Sequence, residues 1–375
     1  MKTKMIFSLG ISGLLALAAC QGNNNTGSGT DSTATDSSKV DTVSKTIKST
    51  GPAPDWAPGI KPEMQAVIEK LVSYGDKPIP NLTAVEARKN HTPTDAVMDL
   101  MKENNIAPPV LKVDTTGKEI PVSGGTIHAR IYTPQGKTGA LPVIVYYHGG
   151  GFVIANIDVY DASAKTLADQ VGAIVVSVAY RLAPEHKFPI AHNDAYAAYD
   201  WVIKNAASFN GDPKKVAVAG ESAGGNLAIN TAIKARDNKV MLPTAILAVY
   251  PVAGSDMTTP SYTKNAKAKP LDKPMMMWFV KNYLNNMAEA KDPRINLLAA
   301  NLKGLPPTTV ITAEFDPLRS EGMTLTEKLK AAGVSTANKN YNGVTHEFFG
   351  MGAIVPQAKD AMSYAVGELK KAFGL

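Results

Sequence analysis

Gly220-Glu221-Ser222-Ala223-Gly224 sets one serine between two glycines. An apolar β-rich run, Val216 to Ala219, precedes it, and a helical pattern, Ala223 to Arg236, follows. A serine on a tight strand-to-helix turn has its hydroxyl pushed clear of the backbone. The helix start beside it presents free N–H groups and the positive end of a dipole. A serine hydroxyl is a weak nucleophile unless a base takes its proton and an acid orients that base. His346 lies in Gly343-Val344-Thr345-His346-Glu347-Phe348, after a last strand and before the last helix. Asp316 lies in Glu314-Phe315-Asp316-Pro317-Leu318-Arg319, just past the strand expected at Thr308 to Thr312. An Asp before Pro is by itself an ordinary turn former. Three such residues, each at the carboxyl end of a parallel strand, form a set, because open α/β sheets gather their sites there.

A second stretch bears on the same chemistry. His148 is followed by Gly149, Gly150 and Gly151. Glycine gives up the most backbone freedom on folding, so a triplet needs a reason. One reason is a turn. The other is close approach to bare backbone: attack on a carbonyl builds negative charge on oxygen, and preorganised N–H donors stabilise it by about 3–4 kcal/mol each. The amides of Gly149, Gly150 and Gly151, with that of Ala223, are the expected oxyanion donors. His148 is expected to brace this loop by hydrogen bonds rather than act as a base.

Positioning these groups requires strands alternating with helices. Leu141 to Tyr147, Ala173 to Tyr180, Val216 to Ala219, Thr244 to Tyr250 and Thr308 to Thr312 read as buried strands. Tyr160 to Val171, Ile190 to Ala206, Ala223 to Arg236, Ser320 to Ala332 and Gln357 to Phe373 read as amphipathic helices. That alternation predicts a mostly parallel sheet covered on both faces. Val113 to Thr116 and Thr126 to Tyr132, with Gly124-Gly125 between, predict an opening antiparallel pair. Two segments fall outside the alternation: Pro62 to Asn104, helical in pattern, and an insertion at about 255–292. Together they predict a helical cap over the strand ends. Met275-Met276-Met277-Trp278-Phe279 within the insertion fits either plain core packing or an adaptable apolar pocket. In the pocket reading, Met276 and Phe279 line an acyl site with Phe152.

The chain's start reads as an address. Lys2 and Lys4 precede an apolar run from Ile6 to Ala19, too short to span a bilayer. Leu17-Ala18-Ala19-Cys20 then looks like a lipobox, with residues 1–19 removed and Cys20 acylated; an ordinary signal peptide with a chance cysteine is the alternative. Two or three acyl chains would anchor stably where one would not. Gln21-Gly22 lacks an Asp that would favour inner-membrane retention, which points to the outer membrane of a bacterial envelope. Residues 20–50 are mostly Asn, Gly, Ser, Thr, Asp and Lys and read as a tether unable to bury a core. Residues 51–110 read as the N-terminal cap helices and 111–375 as the catalytic domain. Loss of Lys2 and Lys4 takes the formal charge from +6 to +4. With no clustered basic runs, that balance carries no nucleic-acid signature. The single cysteine excludes intramolecular disulfides.

With these residues placed, the chain resembles the hormone-sensitive-lipase-like family of α/β-hydrolase esterases. The resemblance rests on His148-Gly149-Gly150-Gly151-Phe152, Tyr180-Arg181-Leu182-Ala183-Pro184-Glu185-His186 with Phe188-Pro189, Gly220 to Ala228, Asp316-Pro317-Leu318-Arg319, and His346. It covers about Val113 to Leu375. It implies an α/β-hydrolase fold with a helical cap, and hydrolysis of small, short- to medium-chain carboxylic esters without metal or cofactor. Glu221 stands where many members carry Asp, and Ser320 where Asp is common. The same groups would also serve a carbohydrate deacetylase, a lactonase or an amide hydrolase, and the fold also hosts non-catalytic ligand receptors. Nothing in the sequence fixes an oligomeric state.

Overall fold

A computed structural model describes residues 47–375; the signal segment, Cys20 and most of the tether lie outside the described residues. Among the described residues, eight strands form one sheet: β1 (Val113–Val122), β2 (Gly125–Pro134), β3 (Leu141–Tyr147), β4 (Ile174–Val178), β5 (Gly211–Glu221), β6 (Ile246–Val249), β7 (Thr308–Phe315) and β8 (Thr336–Thr345). The spatial order is β1-β2-β4-β3-β5-β6-β7-β8. β1, β2 and β4 pair antiparallel, and every pair from β4 through β3 to β8 is parallel. From β3 the chain first goes to β4 on one side and then returns to β5 on the other. That reversal opens a crevice beyond the ends of β3 and β5, where Tyr147 is paired with Gly220.

Among the described residues, ten α-helices accompany the strands: α1 (Pro62–Ser73), α2 (Ala84–Ala87), α3 (Pro93–Glu103), α4 (Asp161–Val171), α5 (Ile190–Asn205), α6 (Ala223–Asp237), α7 (Pro260–Lys264), α8 (Lys273–Tyr283), α9 (Arg319–Ala331) and α10 (Pro356–Phe373). Side chains alternate across the sheet with period two. Val143, Val145 and Tyr147, with Val216 and Val218, join one core with α5, α6 and α9. Ile144 and Tyr146, with Ala217 and Ala219, join another with α4 and α10. Central strands apolar on both faces are what a sheet covered on both sides requires.

β3 has the expected bounds. β5 and β7 run longer than their apolar cores, and β1 extends to Val122 along an exposed edge whose residues are mostly in solvent. β8 is carried by Thr336-Ala337-Asn338-Lys339-Asn340 and leaves only its last residues deeply buried.

The segments flagged for a cap go to two places. α1 and α3 pack on each other and into the core shared with α4 and α10. The short stretch around α2 goes instead to α8: Trp278 Nε1 donates to the Leu82 carbonyl at 2.9 Å. Arg88 beyond it donates to the Val153 carbonyl at 2.9 Å and pairs with Glu185. Thr83 and Glu86 cap α2 reciprocally. Among the described residues, no helix is long and apolar enough to cross a membrane.

Folding buries several titratable groups. Burial pushes Glu221 up to about 7 and Glu321 up to about 8. Glu321 accepts from the Ala253 amide with one oxygen, while the other has no partner. Burial pushes His148 and His192 down to about 4. Above the ordinary carboxyl value of 4.5 the unfolded chain releases protons that Glu221 and Glu321 keep when folded. Stability therefore falls as pH rises towards about 8. The histidines act oppositely, but their effect is complete above their ordinary value of 6.5. Between pH 6.5 and 8 the acids act unopposed by these histidines, with a slope of up to about 1.4 kcal/mol per unit for each group while it titrates. The thermal midpoint should fall across that window, and Glu321→Gln should flatten the fall. A wild-type midpoint that rises there in calorimetry would contradict this account.

Candidate active site

β5 ends at Glu221, α6 begins at Ala223, and Ser222 between them has φ 56° and ψ −116°. A non-glycine residue held at positive φ stores strain, and a strained turn of this kind lifts the hydroxyl off the backbone. The neighbouring glycines are required by contact. A Cβ on Gly220 would lie 2.2 Å from the Gly224 carbonyl oxygen, and one on Gly224 would lie 1.9 Å from that of Tyr147. The turn is pinned by the Ser222 amide donating to the Val249 carbonyl at 2.9 Å.

Asp316 follows β7, and His346 follows β8. His346 Nδ1 lies 2.7 Å from Asp316 Oδ2, and its Nε2 lies 2.9 Å from Ser222 Oγ. All three residues are buried. The Asp316 contact selects the tautomer with the proton on Nδ1, leaving Nε2 as acceptor towards Ser222. Asp316 is itself held: its other oxygen accepts from the Leu318 amide at 2.8 Å, and Asn265 donates to its carbonyl at 2.9 Å. Burial alone would push His346 down; the charge and hydrogen bond of Asp316, with Glu347 and Glu221 behind, outweigh it and hold the imidazole above its ordinary value.

The glycine loop starts where β3 ends. Among the described residues, the amides of Gly149, Gly150, Gly151 and Ala223 donate to no other group. Each glycine also has a packing reason. A Cβ on Gly149 would lie 2.2 Å from the Tyr160 hydroxyl, one on Gly150 2.1 Å from the Ile154 carbonyl, and one on Gly151 2.3 Å from the Phe279 ring. So the loop is glycine partly because the protein itself packs against it. His148 is buried and stacked on Tyr180, centroids 4.3 Å apart, with Nδ1 donating to the Gly149 carbonyl at 2.7 Å. Its depressed pKa keeps it neutral.

Phe152 stacks on Tyr283 at 4.2 Å, in a cluster with Phe188 and His192. His192 is fixed between the Tyr283 hydroxyl and Asn226. Phe279 on α8 lies over Gly151. Met276 is buried in the same core as Phe152 and Phe279, whereas Met277 faces solvent. The structure thus brings Ser222, His346, Asp316, the glycine loop, Phe152 and Phe279 together.

Other residues of the site carried no signal of their own in the sequence. Tyr146 and Tyr250 both donate to the Glu221 carboxylate, one to each oxygen. Tyr160 donates to Glu347 at 2.6–2.7 Å. Tyrosines at the end of β3, after β6 and before α4 are individually unremarkable in a sequence; only convergence on one carboxylate or another gives them a role. Ser320, where an acid is common, exchanges hydrogen bonds with Ser261 and ties α9 to α7.

The profile of a protein family described as having the α/β-hydrolase fold matches residues 144–350. A carboxylesterase, NlhH, from Mycobacterium tuberculosis is 41% identical over 252 residues, 66% of this chain and 78% of that protein. An ethyl acetate hydrolase from Pseudomonas putida is 32% identical over 66% of this chain and 79% of its own length. Among solved structures, a hyperthermophilic esterase from the archaeon Pyrobaculum calidifontis superposes with TM-score 0.76 at 37% identity, covering 83% of this chain and 98% of that one. A thermostable esterase from Pseudomonas putida superposes with TM-score 0.78 at 33% identity, covering 85% of this chain and 99% of the other. A family match across more than half the chain, on the sheet that carries Ser222, Asp316 and His346 at its strand ends, makes this chain a member of the α/β-hydrolase family, in its hormone-sensitive-lipase-like esterase branch.

Proposed function

We propose that this enzyme is a serine carboxylesterase that hydrolyses short- to medium-chain carboxylic esters through Ser222, His346 and Asp316. The observation that carries the reading is the unbroken line from Asp316 Oδ2 through the His346 imidazole to Ser222 Oγ, with contacts of 2.7 and 2.9 Å. His346 Nε2 takes the Ser222 proton as Oγ bonds to the ester carbonyl carbon. The carbonyl oxygen becomes an oxyanion and takes hydrogen bonds from the free amides of the glycine loop and Ala223. As the tetrahedral intermediate collapses, the bond to the alcohol oxygen breaks, and His346 returns its proton to that oxygen. The acyl group now sits on Ser222. A water gives its proton to His346 and its oxygen to the acyl carbon, and collapse releases the carboxylic acid and restores Ser222. Asp316 stays ionised and stabilises the imidazolium in both halves. Phe152, Met276 and Phe279 supply the apolar wall of the acyl site.

We further propose that Cys20 is acylated and holds the enzyme on a membrane of a bacterial cell envelope, the outer one being favoured by Gln21-Gly22. The support is the sequence Leu17-Ala18-Ala19-Cys20 behind a basic, apolar start.

On p-nitrophenyl esters from acetate to palmitate, turnover should peak at short chains, and Ser222→Ala should keep its thermal midpoint while kcat drops on the order of a million-fold. Retained turnover in a clean preparation of that variant would remove Ser222 from the nucleophile role. Replacing Met276 and Phe279 together with Ala should enlarge the acyl site and move the preferred chain length upward, at a stability cost of about 2–5 kcal/mol per site. An unchanged chain-length profile in a folded double variant would refute their place in the pocket. Palmitate labelling in a bacterial host should mark the wild-type chain and spare Cys20→Ser; equal labelling of both would end the anchor proposal.

A further inference from the structure

Glu347 directly follows His346 and has φ 69°. That left-handed backbone favours glycine, and a charged, fully substituted residue there is strained. Its carboxylate is tied down despite that. The Tyr160 hydroxyl donates to it, 2.7 and 2.6 Å from its two oxygens, and about a fifth of the side chain stays exposed. Glu347 Oε1 stands 3.8 Å from His346 Nε2, the nitrogen that also faces Ser222 Oγ. That distance is too long for a hydrogen bond and short for an interaction between charges in a site with little water. Tyr160 also packs behind Gly149, so the pair bridges the glycine loop and the histidine.

We propose that Glu347 is a positioning residue of the reaction: held by Tyr160 beside Nε2, its carboxylate stabilises the imidazolium that His346 becomes on taking the Ser222 proton. The inference rests on the acyl-transfer reading given above. The imidazole then lies between two carboxylates, Asp316 on the Nδ1 side and Glu347 on the Nε2 side. A second negative charge near Nε2 matters only once the ring is charged, so it acts along the reaction path more than on the resting enzyme.

The other groups around this pair are known. Glu221, at the end of β5, is bound by Tyr146 from β3 and Tyr250 after β6, and the Tyr250 ring lies 4.5 Å from the imidazole. Tyr180, after β4, donates to the His148 carbonyl. Glu321 lies on α9, and His346 and Asp316 both act on its carboxyl. Burial raises the Glu347 pKa, with the His346 charge and the Tyr160 hydrogen bond acting against it. The His346 charge favours the Glu347 carboxylate, and that carboxylate favours the protonated ring.

The experiment compares the full-length wild type with Glu347→Gln, which keeps the shape and an acceptor for Tyr160, and with Glu347→Gly, which relaxes the backbone. Two readouts are taken against pH: kcat/KM on p-nitrophenyl butyrate, and the NMR signals of the His346 ring. Removing the carboxylate removes a charge that favours the protonated ring. Both the acid limb and the ring midpoint should therefore move to lower pH by at least about half a unit. kcat should fall more than KM rises. A midpoint that stays in place in both variants overturns the proposal even if activity drops, because a purely structural role would lower activity without moving it. Absence of serine-dependent turnover in the wild type would instead sink the esterase reading, and the ring titration would still decide whether Glu347 acts on His346.

Discussion

The first turn of α6 crosses the end of β3 so closely that Gly224 rests against the Tyr147 carbonyl, where a single Cβ would come within 1.9 Å. This crossing is the constraint on which the site depends. It follows from the topology: the chain leaves β3 on one side, returns on the other as β5, and must turn into a helix above the gap. Only glycine allows the helix start to sit that low. With the helix there, the Ala223 amide and the glycine loop leaving β3 face one space, and Ser222 stands at its edge. An alanine at Gly224 would push the two strand ends apart and separate Ser222 from the free amides of the glycine loop.

The same compactness makes the site dry, and dryness sets its electrostatics. Ser222, Asp316, His346, Glu221 and Glu321 are all nearly inaccessible. Burying charge is costly unless it is paired or hydrogen-bonded. Asp316 has the ring Nδ1–H and the Leu318 amide; Glu221 has two tyrosine hydroxyls. Glu321 has one amide and one orphaned oxygen, and its upward shift is the larger of the two glutamates'. The unevenness matches the mechanism proposed here: the residue assigned to hold the imidazolium, Asp316, has donors on both oxygens, whereas Glu321 lies outside the Ser222–His346–Asp316 line.

How much of this was legible in the sequence depends on how each part encodes itself. β3, buried on both faces, is a continuous apolar run, and its bounds could be read directly. β8 could not be bounded, because an edge strand written in Asn, Lys and Thr has no apolar period to follow. Ser222, Asp316, His346 and the glycine triplet announced themselves through glycine punctuation and chain order. Phe279 was flagged only as one of two readings, and it needed the α8 packing to bring it over Gly151. Tyr160 and Glu347 are 187 positions apart. No local pattern records such a pair, and the adjacency of Glu347 to His346 hints at it only once the positive φ is known.

Backbone strain is concentrated around Ser222 and His346. Eight non-glycine residues among those described have positive φ, and Phe152, Ser222, Tyr250 and Glu347 are four of them. Each costs roughly 1–3 kcal/mol. These four sit in the turns that follow β3, β5, β6 and β8; Tyr250 and Glu347 lie beside the His346 ring, and Phe152 stacks on Tyr283. Strain of that size persists only where the surroundings over-determine the conformation. Here the over-determination is visible in the hydrogen bonds from Tyr160 to Glu347 and from Tyr250 to Glu221, and in the stacking of Phe152 on Tyr283. The buried sheet below supplies the rigidity, and the strained turns convert it into fixed positions for Ser222 and His346. At Ser222 and Glu347 glycine would relieve that strain at the expense of geometry, a trade-off expected where function depends on a strained arrangement, whereas at the buried Phe152 and Tyr250 the lost ring packing, about 3–5 kcal/mol, would outweigh the relief.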